Sequence, residues 1–392
     1  MSRGCLKSPF LFITPQSPTL LRRLRRPKAE AAIIGRQRLA DGAARRRRSG
    51  SFDYQDIYNS PFRGSEGKIK LLSTLNIFAS NNIELEQGIV IKSTGSRYKV
   101  LCEGDRIVEC IIKGKFRVKE LRATNPIAVG DNVLLKPDKS NCSGVITEVL
   151  DRKNYILRKA SNLSKQTQII AANIDQAFIM VTIILPVTPV EFIDRFLITA
   201  EAYRIPARII FNKTDLYGEN ETARMEYLIS LYRKIGYDCL KLSITDGTNL
   251  KVVEHILKNK ITLVAGNSGV GKTSLINALN PSLNLKTEEV SDYHKQGKHV
   301  TTFPEMHRMP FGGFIIDTPG IRGFGIVDMD KNEIYHFFPE IFSMARECRF
   351  YNCLHLDEPG CAVRRAVETG NIDFLRYRSY LSIINDDDSK YR

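Results

Sequence analysis

The chain contains one glycine-rich stretch that constrains its fold more than any other segment does. The stretch has the pattern G-x-x-x-x-G-K-T, and its members are Gly266, Asn267, Ser268, Gly269, Val270, Gly271, Lys272 and Thr273. An apolar, β-branched run at 261–265 predicts a buried strand before it, and residues 274–280 predict a helix after it that Pro281 ends. A strand, a glycine turn and a helix N-terminus form a cradle for phosphate. The sequence therefore predicts a phosphate-binding loop in an α/β domain.

The side chains of this loop predict how it would hold a nucleotide. Its glycines let successive backbone N–H groups face one anion, and Ser274 is an expected further contact. Lys272 would reach the outer phosphates, and the hydroxyl of Thr273 would bind Mg²⁺. The alternative is a glycine-rich turn that binds nothing, which the strand-loop-helix context disfavours.

A second motif predicts which base is bound. Asn212, Lys213 and Asp215 form N-K-x-D directly after a predicted strand at 207–211. The carboxylate can accept from the ring N–H and the exocyclic amine of guanine together, which adenine does not offer, while the lysine stem would cover the base. Ser243 ends the next predicted strand and is a further expected contact. The motif is weak alone, but together with the phosphate loop it predicts guanine nucleotide binding.

A third motif, Asp-Thr-Pro-Gly, occupies 317–320 behind a predicted strand at 313–316. Asp317 would hold Mg²⁺ through water, and the N–H of Gly320 would meet the γ-phosphate, as a phosphoryl-transfer site requires. In ordinary small GTPases N-K-x-D comes after these motifs, whereas here it comes first. The order predicts a circularly permuted GTPase domain, which costs little when the old chain ends lie close together at the surface.

Periodicity predicts a multidomain chain. Short alternating runs between residues 87 and 150 predict five strands in a closed all-β barrel of OB type, and alternating strands and helices from about residue 170 predict a mostly parallel sheet. The expected division is a disordered basic extension at 1–85, an OB barrel at 86–150, the permuted α/β GTPase domain at 151–327, and a small helical zinc-binding domain at 328–392.

Charge is concentrated at the N-terminus. The first 50 residues hold 13 Lys or Arg and two acids, which accounts for +11 of the net charge of +15. This segment suits a transit peptide, an RNA-binding arm, a disordered leader or an upstream extension, and we expect disorder. The basic stretch 113–119 surrounds Phe116 and could contact RNA, although a solvated strand with a core Phe fits equally well. The longest apolar run, 177–187, is too short to span a membrane.

Three of the eight cysteines lie close together in sequence. The pattern Cys348-x4-Cys353-x-His355-x5-Cys361 supplies three thiolates and an imidazole, which is a closed tetrahedral set for structural Zn²⁺. Scattered spacing of the other cysteines argues against a disulfide framework. The alternative is three reduced thiols near a surface histidine. A metal site would stabilise a segment whose helical runs, 331–345 and 362–384, are too few for a large core.

Over residues 86–385 the chain resembles the RsgA (YjeQ) family of circularly permuted ribosome-biogenesis GTPases. The resemblance is carried by the barrel, the permuted motif order and the Cys-His loop. Residues 297–302, G-K-H-V-T-T, resemble the family's G-R-H-T-T-T switch, so the Mg²⁺-binding threonine is expected at Thr301, with Thr302 left open by the departures at Lys298 and Val300. The resemblance implies a monomeric cytoplasmic factor that binds the small ribosomal subunit and its rRNA late in maturation, hydrolyses GTP with Mg²⁺, carries one Zn²⁺, and then leaves.

The catalytic residues are expected to be Lys272, Asp317, Thr301 and His299. Ile321 follows the Asp-Thr-Pro-Gly motif in place of a water-orienting glutamine, so unassisted hydrolysis should be slow. Our hypothesis is that His299 orients the attacking water once a partner orders the switch; the alternative is that it packs or contacts RNA. A rival function is an RNA-binding sensor of GTP and alarmones with incidental turnover, and a rival location is an organelle.

Overall fold

The computed structural model describes residues 85–112, 126–138, 142–159, 167–286, 303–318 and 329–385. Several predictions from the sequence lie outside these residues: the extension up to residue 84, the basic stretch with Phe116, the switch with His299, Thr301 and Thr302, and Gly320 and Ile321. Within the described part of the chain, no helix is both long and apolar enough to cross a bilayer.

Five strands close into a barrel at the N-terminal side. They are β1 (Glu86–Ser93), β2 (Tyr98–Cys102), β3 (Ile107–Ile112), β4 (Asn132–Pro137) and β5 (Ser143–Val149). The strands pair in the order β1-β2-β3-β5-β4, and β4 pairs back to β1, so the barrel is closed. Alternate residues such as Val90, Val100 and Val133 point inward and are buried. The predicted OB-type barrel is confirmed.

Six strands form the sheet of the α/β domain. They are β8 (Gln176–Val181), β9 (Ala207–Phe211), β10 (Asp238–Lys241), β11 (Ile261–Ala265), β12 (Glu305–Arg308) and β13 (Phe314–Asp317). Their order is β10-β9-β8-β11-β13-β12, and β12 alone of the six is antiparallel to its neighbour. The chain proceeds from β8 to β9 on one side and from β11 to β13 on the other. Ligands bind at such a switch point, beyond the carboxyl ends of the strands.

Helices cover both faces of this sheet. They are α1 (Val190–Ala202), α2 (Glu219–Lys234), α3 (Leu250–Leu257) and α4 (Lys272–Leu279). Strand β8 is buried throughout: Ile179 packs in the core with α1 and α2, and Phe178 packs in the core with α3 and α4. This two-sided burial explains why the strand is continuously apolar from Ala177 onward rather than alternating.

Three helices form the C-terminal part. They are α5 (Pro339–Ala345), α6 (Ala362–Glu368) and α7 (Phe374–Asn385). The helical run predicted at 331–345 instead begins with a 3₁₀ turn, Ile334–Phe337, and Pro339 then starts α5 because proline suits the first helical turn. The run predicted at 362–384 is divided near Gly370, whose φ of 76° is incompatible with a helix.

The structure differs from the sequence-based prediction in three strands or hairpins. Two were not predicted, and one is shorter than predicted. The hairpin of β6 (Tyr155–Lys159) and β7 (Thr167–Ala172) was not predicted, and neither was the short strand β12, which pairs with β13 on one side and with β1 of the barrel on the other. The apolar run from Gln176 to Leu185 predicts one buried strand, but the strand leaves the sheet after Val181. Residues 182–188 turn back on themselves there, because Thr188 N–H donates to the carbonyl of Thr182 at 2.9 Å.

Candidate functional site

The glycine-rich loop follows β11 and ends at the first turn of α4. Gly269 and Gly271 have φ angles of 80° and 99°, which glycine adopts without strain. A Cβ on Gly271 would lie 2.5 Å from Nδ2 of Asn212, so no side chain fits there. The ammonium of Lys272 folds back over the loop and donates to the carbonyls of Gly266 at 2.8 Å and Asn267 at 3.0 Å. This backbone geometry is compatible with the predicted phosphate-binding loop.

The N-K-x-D segment follows β9 and is joined directly to that loop. Asn212, which is 1% exposed, donates from Nδ2 to the carbonyl of Val270 at 2.8 Å. Lys213 adopts a left-handed conformation with φ of 61°, which turns the chain so that Asp215 follows at the sheet edge. The hydroxyl of the buried Ser243 donates to Oδ1 of Asp215 at 2.6 Å. The N-K-x-D segment, the glycine-rich loop and Ser243 therefore meet at the same end of the sheet.

Asp317 ends β13 beside the loop. It is only 8% exposed, and its Oδ1 has no hydrogen-bond partner among the described residues. Burial raises the pKa of its carboxyl to about 6, with Lys272 opposing the shift and Glu305 adding to it. A buried carboxylate oxygen without a donor costs free energy unless a cation satisfies it. The position therefore fits a divalent cation, directly or through water.

A second cluster lies in the C-terminal part. One ligand atom each from Cys348, Cys353, His355 and Cys361 lies within 4.8 Å of all the others. Nδ1 of His355 is 3.6 Å from the sulfurs of both Cys348 and Cys361, which are themselves 4.0 Å apart. A tetrahedral ion with metal–sulfur bonds of about 2.3 Å requires sulfurs about 3.8 Å apart. The sulfurs of Cys348 and Cys361 are close to that separation, and all four donor atoms are near enough to converge on one ion.

The electrostatics of this cluster also fit a metal ion. Burial lowers the pKa of His355, which favours the neutral imidazole that a metal ligand needs. Burial raises the pKa of the Cys353 thiol to about 12, and the positive charge of a bound cation would oppose that shift by stabilising the thiolate. Backbone N–H groups of Ala362 and Arg364 point at the sulfurs of Cys348 and Cys361, at 3.3 and 3.4 Å. Such N–H donors stabilise ligating thiolates.

Two residues beside Asn212 and Asp317, at the carboxyl ends of the strands, were not predicted from the sequence. Glu305 of β12 lies directly opposite Asp317 in the strand pairing. Tyr217 donates its O–H to the carbonyl of Asn212 at 2.6 Å. Neither residue belongs to a sequence motif. A glutamate on a short strand and a tyrosine after a turn are common in proteins of every class, so the sequence gives no signal for their roles.

Comparisons with known proteins match both domains of this arrangement. Residues 149–327 match the family model described as RsgA GTPase, and residues 87–146 match the RsgA N-terminal domain. A "Small ribosomal subunit biogenesis GTPase RsgA" from Bacteroides fragilis is 52% identical over 307 residues, which are 78% of this chain and 99% of the relative. A relative of the same name from Phocaeicola vulgatus is 54% identical over the same shares. The chain belongs to the RsgA GTPase family.

Solved structures agree with membership in the RsgA family. YjeQ from Thermotoga maritima is 35% identical, with a TM-score of 0.62 over 77% of this chain and 98% of that one. YloQ, described as a circularly permuted GTPase, is 29% identical, with a TM-score of 0.58 over 77% of this chain and 94% of that one. The predicted fold class and its circular permutation are confirmed.

Proposed function

We propose that this RsgA-family GTPase binds the small ribosomal subunit and its rRNA late in maturation and is released when GTP is hydrolysed. The names of its relatives support the ribosomal role. The observation that carries the nucleotide chemistry is the hydrogen bond from Asn212 to Val270, which joins the guanine motif to the phosphate loop. We further propose that the protein acts as a monomer in the cytoplasm.

In this proposal the guanine base is read by Asp215. One carboxylate oxygen already accepts from Ser243, and the carboxylate retains lone pairs for the N–H and NH₂ groups of the base. The stem of Lys213 covers the ring. The loop residues 266–273 and Ser274 surround the phosphates, with the N–H of Gly320 at the γ-phosphate.

Magnesium would be held by the hydroxyl of Thr273, by Asp317 through water, and by Thr301 of the switch. The ion neutralises charge on the β- and γ-phosphates when bound. Lys272 would add positive charge at the same oxygens, and the burial of Asp317 would shield its carboxylate from solvent. We assign the water-orienting role to His299. The reaction is GTP plus water giving GDP plus phosphate.

For the Cys-His cluster we propose one structural zinc ion. Three thiolates and one imidazole leave no position for water, so the site has a structural rather than a hydrolytic role. We place the working boundaries of the parts at 86–150, 151–327 and 328–392. The barrel and the zinc-binding part would contact rRNA on two sides of the nucleotide domain.

The deciding experiment measures GTP hydrolysis with and without purified small ribosomal subunits. We expect slow turnover alone and stimulation by the subunits, and absence of stimulation would refute the ribosomal role. The sensor alternative predicts that binding follows nucleotide occupancy while His299→Ala changes nothing. An Asp215→Asn variant tests base reading separately, because it should weaken GTP and favour xanthine nucleotide.

A further inference from the structure

The hydroxyl of Tyr217 joins the N-K-x-D segment to the segment that follows β8. It donates to the carbonyl of Asn212 at 2.6 Å and accepts from the backbone N–H of Ile183 at 2.9 Å. Asn212 begins the N-K-x-D segment, whereas Ile183 lies just past the end of β8. The Tyr217 side chain therefore closes a ring around the turn that carries Lys213 and Asp215.

The segment on the other side of this contact, residues 182–188, is held in place from within; we call it the brace. Thr182 N–H donates to Oγ1 of Thr188 at 3.1 Å, and the Thr182 hydroxyl donates to the carbonyl of Pro186. Leu185 has a φ of 50°, which a leucine adopts only when its surroundings impose it. Its carbonyl accepts from the ammonium of Lys213. The guanine motif is thus tied to the brace twice, by Lys213 and by Tyr217.

The other hydrogen bonds of the turn that carries Asp215 hold mainly its first half: Asn212 donates from its N–H to the carbonyl of Val181 and from Nδ2 to the carbonyl of Val270, both at 2.8 Å. Asp215 itself is exposed, and Ser243 supplies one hydrogen bond to its carboxylate. The turn's backbone is tied to the next strand by Thr214 N–H, which donates to the carbonyl of Leu242 at 3.3 Å. Reading two donors of one base requires both carboxylate oxygens to be placed within a few tenths of an ångström.

We propose that Tyr217 is a positioning residue for guanine specificity. It acts through Asp215 by fixing the turn against the brace, and it makes no contact with the base itself. This inference rests on the base-reading role of Asp215 proposed above. A chain without the hydroxyl would still bind the phosphates, because the cradle is formed by residues 266–273, but it would distinguish bases less well.

The test compares the affinities of the full chain for GTP and for inosine triphosphate, which keeps the ring N–H and lacks the exocyclic amine. In Tyr217→Phe we expect the ratio of GTP to ITP affinity to fall about tenfold, the equivalent of about one hydrogen bond. The matched control is Tyr237→Phe. It removes a tyrosine hydroxyl that donates to Glu201 at 3.0 Å and, in the described part of the chain, makes no hydrogen bond to the N-K-x-D segment. It should leave the ratio unchanged. An equal loss of both nucleotides in Tyr217→Phe would overturn the inference.

Two additional variants separate the inference from the proposal beneath it. In an Asp215→Asn background, Tyr217→Phe should have no further effect on the ratio, and additive effects would refute action through Asp215. Thr188→Val loosens the brace while keeping the hydroxyl of Tyr217, so the ratio should fall there too. If Asp215→Asn alone keeps the GTP preference, base reading by Asp215 is wrong. If Asp215→Asn loses that preference while Tyr217→Phe and Thr188→Val both keep it, only the role of Tyr217 is wrong.

Discussion

Lys92 of β1 and Glu305 of β12 form an ion pair, with Nζ 2.9 Å from Oε2, at the point where the barrel meets the sheet of the α/β domain. The same two residues are the single backbone pair between these strands. Glu305 also lies opposite Asp317 in the sheet. One glutamate therefore contacts the barrel and borders the proposed magnesium position.

Replacing Lys92 by alanine tests this contact. Both side chains are about one-third exposed, so the free energy of unfolding should change by less than about 1 kcal/mol. Hydrolysis stimulated by small subunits should nevertheless fall severalfold, because the barrel is held less firmly on β12, while unstimulated hydrolysis stays the same. Lys99→Ala, on the exposed face of β2, is the control. Equal stimulation of the two variants would contradict the prediction.

Arg376→Met should destabilise the protein strongly. The guanidinium is fully buried between Asp194, at 2.5 Å, and Glu340, at 2.7 Å. Its removal leaves buried carboxylates without their cation, which costs about 3–5 kcal/mol. Chemical denaturation measures the loss. Arg378→Ala, on the exposed side of the same helix, should change stability by no more than about 0.5 kcal/mol; a similar value for both would refute the role of the network.

His307 should make stability depend on pH. It is 8% exposed on β12, and burial lowers its pKa, with Lys92 acting in the same direction and Glu305 opposing it. In the unfolded chain His307 is protonated as the pH falls below about 6.5, whereas in the folded chain it stays neutral to lower pH. The free energy of unfolding therefore falls as the pH drops through that value. Between pH 7.5 and pH 5.5 the wild type should therefore lose more unfolding free energy than His307→Gln does. A constant difference between the two proteins would show that His307 titrates normally.

Metal removal should unfold the C-terminal part selectively. Cys353→Ser, or a strong chelator, deprives the cluster of a ligand or its ion, and the short helices α5–α7 then lose the link between their loops. We expect lower helix content and faster reaction of Cys348 and Cys361 with thiol reagents, with bound zinc measured in parallel. The exposed Cys142 belongs to the barrel, so Cys142→Ser should retain the metal and the helices. Full zinc content in Cys353→Ser would refute the assignment.

The sequence predicts the parts of this protein whose chemistry is local. The glycines of the glycine-rich loop, the Asn212 motif and the four proposed metal ligands are recognisable because each needs particular residue types at a fixed spacing. Tyr217 and Arg376 are different, because their partners are brought to them by the fold. The end of β8 was misplaced for a related reason: apolar residues continue to Leu185, but the threonine pair at 182 and 188 bends the chain out of the sheet.

The packing of Ile198 bears on how the protein can be dissected. This residue belongs to α1, yet it is buried in the apolar core of the C-terminal helices together with Phe338 and Tyr380. The same helix supplies Asp194 to Arg376. An isolated fragment from 329 to 385 would expose part of its core and leave a buried guanidinium without one of its two carboxylates. Any truncated version intended for study of the metal-binding part should therefore carry α1 with it.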